Sequence, residues 1–127
     1  MSFQFQKHYT LEQARALLPE VRQWLGELAQ SRQRLAQCDE RLAETLAAGN
    51  DAGGDLVNRW VRTLSEVKSL LVNFQKREIQ IKDLDRGLID FPALVGGKEV
   101  FLCWEQDEED IEYWHDLDSG YAGRERL

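Results

Sequence analysis

Polar side chains that could carry chemistry are concentrated in three strings near the C-terminal end of this 127-residue chain. The strings are KDLDRGLIDFP, starting at Lys82, FLCWE, starting at Phe101, and YWHDLDSGYAGR, starting at Tyr113. They supply carboxylates, an imidazole, a thiol and a guanidinium, the groups that bind metal ions, transfer protons or pair with anions. The candidate ligand-binding residues are Asp83, Asp85, Asp90, His115, Asp118 and Arg124.

The first string has two interpretations. Asp83 and Asp85 are two residues apart, so in a strand their carboxylates project from the same face, as oxygen ligands of a divalent cation would. The same residues followed by Arg86 and Gly87 are also typical of a tight turn, in which an aspartate accepts hydrogen bonds from the nearby backbone. The spacing leaves both possibilities open.

His115 is flanked by Trp114 and Asp116, and an imidazole beside a carboxylate is suited to metal binding or to general-base catalysis. The candidate metal ligands are Asp83, Asp85, His115 and Glu108, with a divalent ion as the possible cofactor. The alternative is a hydrogen-bonded core histidine. Cys103 is interpreted as a small buried hydrophobe, or as a nucleophile if His115 approaches it. The spacing does not indicate whether His8, Cys103 and His115 meet.

Two long helices precede these strings. Thr10 and Gln13 have the spacing of a capping box, which predicts a helix beginning at Leu11. Apolar residues recur every seven positions to about Leu46, although Pro19 predicts a kink or a separate short helix at the start. The Gly-rich segment 48–55 predicts a loop, and a second heptad pattern predicts a helix from about 56 to 78.

The remaining residues have the period of strands. Leu88 to Val95 and Lys98 to Trp104 should pair as a hairpin around Gly96-Gly97, and Ile111 to Asp116 should add another strand. Pro92 cannot donate a ladder hydrogen bond, so it should lie at an edge or a bulge. The acidic segment 105–110 is expected to be a solvated loop.

These elements predict an α+β fold in a single domain, 1–127. It consists of a long antiparallel helical hairpin at about 11–78 and a three- to four-stranded antiparallel sheet within the β-rich acidic part at about 79–127. Two long helices offer more apolar surface than so few strands can cover. The surplus predicts a homodimer formed through the helices.

The net charge of −7 arises entirely in the last third, where thirteen acidic residues stand against four basic ones from Asp83 onward. Such a chain repels nucleic acids. It has no apolar segment long enough to cross a membrane and no signal sequence, and two unpaired-looking cysteines fit a reducing compartment. We therefore expect a cytoplasmic protein that binds neither nucleic acid nor membrane.

The motifs resemble those of a bacterial family, domain-of-unknown-function family 2203. The resemblance is carried by HYTLEQARALLPEVR from His8, KDLDRGLIDFPA from Lys82, FLCWE from Phe101 and YWHDLDSGYAGR from Tyr113. Asp107 stands where the family pattern has a glycine, which leaves Glu108 as the matching acid. The resemblance implies no activity, substrate or cofactor.

The sequence contains no P-loop, dinucleotide-binding fingerprint, nucleophile elbow or HExxH motif, so common nucleotide and hydrolase chemistries are disfavoured. The favoured hypothesis is a small binding or interaction protein that uses the Asp/His/Arg cluster. The alternative is a hydrolase-like enzyme in which that cluster holds a divalent metal. A coiled-coil adaptor is a third possibility, which leaves the polar strings unexplained.

Overall fold

A computed structural model describes residues 2–50 and 53–127 of the chain. The chain divides into two compact units, and each is considered by itself. One consists of Met1–Arg22 with Phe74–Leu127, and the other of Gln23–Asn73. The first contains the whole sheet and the three polar strings, and it therefore contains every predicted site residue.

Helix α1 spans Leu11–Ala47, as the heptad pattern predicts. The capping box is formed, because Thr10 Oγ1 accepts a hydrogen bond from the Gln13 amide at 3.1 Å and Gln13 Oε1 accepts one from the Thr10 amide at 3.0 Å. The helix continues through Pro19, so no separate short helix precedes it. None of the described helices has a stretch long and apolar enough to cross a membrane.

Helix α2 spans Gly54–Gln75 and packs antiparallel to α1. In the second unit, Arg34 pairs with Glu66 at 3.0 Å and the Trp60 indole donates to Asp39 at 2.7 Å. The residue farther along α1, Asp39, contacts the residue earlier in α2, Trp60, so the two helices run antiparallel. The loop predicted at 48–55 falls partly on residues 51 and 52, which lie outside the described residues.

Five strands form one antiparallel sheet in the order β1-β2-β3-β4-β5, slightly more than the three or four predicted. They are β1 Gln80–Asp83, β2 Leu88–Val95, β3 Lys98–Glu105, β4 Tyr113–Asp116 and β5 Glu125–Arg126. A 3-10 turn, Tyr121–Gly123, connects the last two. The α+β fold predicted from the sequence is confirmed.

The hairpin between β2 and β3 turns at Gly96 and Gly97, whose φ angles are 58° and 79°. Positive φ at both central residues is the requirement of the two-residue turn that matches the twist of a hairpin, and glycine meets it without steric cost. Strand β1 pairs with β2 only as far as Asp90. Pro92 therefore lies on the part of the β2 edge that β1 does not cover, which is the edge position predicted. Its carbonyl accepts a hydrogen bond from the Tyr9 amide at 2.7 Å.

Alternate residues of the sheet face an apolar core on one side. Ile89, Phe91 and Trp104 are fully buried there. The Tyr9 ring meets Phe91 edge-on, and the Arg22 guanidinium lies 4.8 Å from the Trp104 ring centroid. Because side chains alternate along a strand, the residues between them point to the opposite face of the sheet.

The acidic segment 105–110 is exposed at Gln106, Asp107 and Glu109, as a solvated loop would be, and hydrogen bonds also hold its backbone. Arg22 donates hydrogen bonds to the backbone carbonyls of Gln106, Glu108 and Glu109 at 2.9 to 3.3 Å. The Trp104 indole also donates to the Glu108 carbonyl at 3.0 Å. These bonds satisfy the backbone of the segment and set the position of the Glu108 side chain.

The N-terminal segment is attached to β3 through one carboxylate, Glu99. Its oxygens accept hydrogen bonds from the amides of Gln4 at 2.8 Å and Phe5 at 3.0 Å, and one of them lies 2.7 Å from His8 Nε2. Burial alone would raise the pKa of the Glu99 carboxyl. The hydrogen bonds from His8 and from the two amides outweigh burial and lower the pKa.

We predict that Glu99→Gln destabilises the protein by an amount that depends on pH. A carboxyl whose pKa is lower in the folded state stabilises the fold above its ordinary value of 4.5, and that stabilisation disappears as the pH falls through the folded-state value. The difference in unfolding free energy between wild type and variant should therefore shrink below pH 4.5 in denaturant titrations. The amides of Gln4 and Phe5 should also exchange hydrogen faster in the variant.

The exposed Glu109 offers a control, since Glu109→Gln removes the same charge from a side chain that anchors no segment. That variant should leave the exchange rates of Gln4 and Phe5 unchanged. A stability difference for Glu99→Gln that stays constant from pH 7 to pH 3 would contradict the role assigned to the carboxylate.

Candidate functional site

Three side chains with metal-binding or acid–base chemistry converge on the face of the sheet opposite the Ile89, Phe91 and Trp104 core. Asp90 on β2 lies directly opposite Cys103 on β3. Cys103 in turn lies opposite Tyr113 on β4, so His115, two residues farther on, is its diagonal neighbour on the same face. All three are at least 98% buried, and their ligand atoms lie within 4.8 Å of one another.

Both nitrogens of the His115 ring have partners. Nδ1 lies 2.7 Å from the backbone carbonyl oxygen of Asp116, and a carbonyl can only accept, so Nδ1 carries a proton. Nε2 lies 3.0 Å from Asp90 Oδ2. A hydrogen bond between Nε2 and this carboxylate oxygen requires a second proton, which is carried either by the imidazole or by the carboxyl group. The two contacts together fix the orientation of the ring.

The second oxygen of Asp90 is unusual. Oδ1 is buried and has no hydrogen-bond partner among the described residues. Burial raises the pKa of the Asp90 carboxyl, and the interaction with His115 opposes the rise only in part. A buried carboxylate oxygen without a partner is energetically costly, which marks this position as one where a ligand would be stabilising.

Cys103 is a protonated thiol in this arrangement. Burial, together with the negative charge of Asp90, raises its pKa to about 12, although the nearby Arg124 guanidinium acts in the opposite direction. The His115 nitrogens are both engaged elsewhere, so the imidazole is not positioned to take the thiol proton. The geometry therefore gives no support to a Cys–His nucleophile.

Arg124 lies near the Cys103 thiol and forms polar contacts with Glu108 and Tyr121. Its guanidinium forms two contacts with the Glu108 carboxylate, at 3.0 and 2.9 Å, and donates to the Tyr121 hydroxyl at 3.1 Å. It lies 3.9 Å from the Tyr113 ring centroid and 4.2 Å from that of Tyr121. Burial alone would lower the Arg124 pKa, but Glu108 raises it, so the group is a permanent cation.

A cavity of about 200 Å³ opens over the cluster. Asp90, Cys103 and His115 line it together with residues contributed by β1, by the start of β2 and by the segment after β4. The added residues are Lys82, Leu88, Leu117, Asp118, Gly120 and Tyr121. A small molecule or ion in this cavity would contact the three buried polar groups directly.

The other predicted site residues are dispersed. Asp83 accepts a hydrogen bond from the Arg86 amide at 3.1 Å, which is the turn interpretation of that string. Asp85 is exposed on the same turn, and Asp118 is exposed at the cavity. Glu108 is paired with Arg124. The structure thus brings together Asp90 and His115, with Asp118 nearby, and keeps Asp83, Asp85 and Glu108 out of the buried cluster.

The chain matches a family described as "Uncharacterized conserved protein (DUF2203)" over residues 7–127. The chain belongs to this family. No curated protein and no solved structure matches it. For this DUF2203 protein, functional inference therefore depends on the chemistry of its own residues.

Cys103 is the residue of the buried cluster in this DUF2203 chain that the sequence did not place among the candidate metal ligands. An apolar strand around a cysteine indicates burial and nothing more. The signal that identifies it is the hairpin itself. Counting outward from Gly96-Gly97 pairs Val95 with Lys98 and therefore Asp90 with Cys103.

We predict that Cys103 of the native protein is alkylated slowly. An increase in pKa from 9.0 to about 12 lowers the thiolate fraction at pH 7.5 roughly 1,000-fold, and the thiolate is the reactive form. Peptide-resolved mass spectrometry with iodoacetamide should show at least a 100-fold lower rate in the native protein than in guanidinium chloride. A native rate that reaches a plateau below pH 9 would contradict this protonation state.

Proposed function

We propose that this protein binds a divalent transition-metal ion, with Zn²⁺ as the best match, through Asp90, Cys103 and His115. The observation that carries the proposal is the convergence of a carboxylate, a thiol and an imidazole nitrogen within 4.8 Å, all buried. Thiolate and imidazole ligands favour zinc and cobalt over magnesium and calcium. A doubly charged cation with two anionic ligands also leaves no net charge in the buried site.

The orientation of His115 supports this assignment. Histidines that bind metal through one nitrogen commonly donate the other N–H to a carbonyl or carboxylate, as Nδ1 does to Asp116. Nε2 and Asp90 Oδ2 are 3.0 Å apart, and two tetrahedral zinc ligands of this kind are roughly 3.3 Å apart. The ion would replace the shared proton after small movements of the side chains.

Asp90, Cys103 and His115 all line the cavity, so an ion that they held would be accessible to a fourth ligand from it. Catalytic zinc sites have three protein ligands and one open position, whereas structural sites use four protein ligands. The reaction class that fits is hydrolysis of a small ester or amide. Asp90, Cys103 and His115 would hold the metal ion, which would supply a Lewis acid and a bound water of lowered pKa for this hydrolysis.

We predict that the purified protein binds Co²⁺ and Zn²⁺ one to one and does not bind Mg²⁺ or Ca²⁺ at this site. The Co²⁺ form should show a thiolate charge-transfer band in the near ultraviolet and tetrahedral bands in the visible. Zn²⁺ should raise the unfolding temperature, since an ion that binds only the folded state stabilises it by about 2.7 kcal/mol at 100 times its Kd.

The chain offers matched controls, because it has two cysteines and two histidines and one of each lies in the cluster. Cys103→Ala and His115→Gln should weaken Co²⁺ binding at least 100-fold, more than the loss of an outer partner costs. Cys38→Ala and His8→Gln should leave affinity unchanged. A wild-type protein without a charge-transfer band, or one in which the Cys38 variant loses it, would refute the assignment.

A second candidate function is a metal-free pocket for a small polar molecule. The hydrogen bond between His115 and Asp90 favours it, since the two groups satisfy each other without an ion. The two functions differ in the metal titration. This candidate would be favoured if the protein does not bind Co²⁺ and a small molecule raises its unfolding temperature equally with and without a chelator.

We also propose that two copies associate through the helices. Support comes from Val57, Val61 and Val72, which are 41 to 48% exposed and recur at helical spacing on α2. These three valines form an exposed apolar row on α2 that is interrupted by Ser65 and Lys68, and a twofold interface would bury it.

We predict a sedimenting mass of twice the 14.8 kDa chain at micromolar concentration. Val61→Glu and Val72→Glu should shift the protein to the monomer, because each places a charge in the apolar stripe. Val95→Glu, which alters an equally exposed valine of the sheet, should not. A wild-type protein that sediments as a monomer would contradict the association.

A further inference from the structure

Lys82 differs from the other basic residues of the sheet region. From Asp83 onward every lysine and arginine pairs with a carboxylate, at 2.7 to 3.3 Å. The pairs are Arg86–Glu105, Lys98–Asp116, Arg124–Glu108 and Arg126–Glu112. Within residues 2–50 and 53–127, Lys82 has no such partner, although the region is strongly acidic. Its ammonium is therefore available to an anion from outside the chain.

The position of Lys82 connects it with the proposed metal ligands. It lies on β1 on the same face of the sheet as Asp90, and it lines the cavity. Its Nζ is 4.9 Å from the Phe101 ring centroid, which is 5.5 Å from the His115 ring centroid. The ammonium thus stands within about 10.4 Å of the His115 ring. The positive charge of Lys82 lowers the pKa of the Asp90 carboxyl, although burial has the larger effect and raises it.

The cavity limits the size and charge of a ligand. A volume of about 200 Å³ is below the roughly 300 Å³ at which pockets for drug-sized ligands begin, so the cavity suits a small ligand. Leu88 and Leu117 supply apolar walls. Asp118 also lines the cavity, and its negative charge disfavours a ligand that carries two negative charges.

We propose that the cavity binds a small monocarboxylate, with its carboxylate held between the metal ion and the Lys82 ammonium and its short apolar part against Leu88 and Leu117. This inference rests on the proposed function, because the metal supplies the second positive partner. A carboxylate removed from water requires such charge partners. A monocarboxylate is also the product of ester or amide hydrolysis, which relates the ligand class to the proposed reaction.

The test uses propionate as the probe and the full chain loaded with Co²⁺. Metal loading is measured first from the charge-transfer band, before any carboxylate is added. Propionate should then change the visible bands and saturate, because it occupies the open coordination position. Lys82→Gln should keep the charge-transfer band and weaken propionate binding about tenfold, whereas Lys82→Arg should retain most of it. Lys76→Gln removes the same charge from an exposed lysine outside the cavity and should change nothing.

Each outcome is decisive. Co²⁺ binding without any response to propionate, or an equal response in wild type and Lys82→Gln, would overturn this inference and leave the metal site intact. Inorganic phosphate that binds more tightly than propionate would overturn the choice of a monocarboxylate. Failure of Co²⁺ to bind at the first step would overturn the proposed function together with the inference that rests on it.

Discussion

The two-residue turn at Gly96-Gly97 is the constraint from which the rest of the site follows. It fixes the register of β2 and β3 so that Asp90 and Cys103 are directly opposite. Because side chains alternate with a period of two, a slip of one residue in either strand would move one of them into the apolar core. The core itself resists the slip, since Phe91 and Trp104 would then leave it.

The buried cluster is costly without a ligand. Asp90, Cys103 and His115 are removed from water, and Asp90 Oδ1 has no hydrogen-bond partner among the described residues, although Oδ2 contacts His115 at 3.0 Å. A fold selected for stability alone would gain by filling these positions with apolar side chains. Retention of three ligand-type groups at the base of a cavity is understandable if a bound ion satisfies them.

The sequence was sufficient for the elements and for part of the site. Heptad spacing gave α1, the glycine pair gave the central hairpin, and the same pair could have given the Asp90–Cys103 contact. The position of His115 could not be predicted, because segment 106–112 separates β3 from β4 and its length does not determine the register between them. The metal ligands predicted from Asp83, Asp85 and Glu108 rested on spacing along the chain, whereas the buried cluster depends on pairing between strands.

Some of the acidic side chains in the last third of the chain form ion pairs with lysines and arginines. Glu105, Glu108, Glu112 and Asp116 each pair with a lysine or arginine, so four of the thirteen acidic side chains from Asp83 onward have a basic partner within the sheet region. The Tyr121 ring lies between the guanidinium groups of Arg86 and Arg124, at 4.4 and 4.2 Å. Tyr121 lines the cavity, so these contacts hold one of its lining side chains in place. A lining side chain that is already held in place loses less conformational freedom when a ligand binds, so less of the binding free energy is needed to order the site.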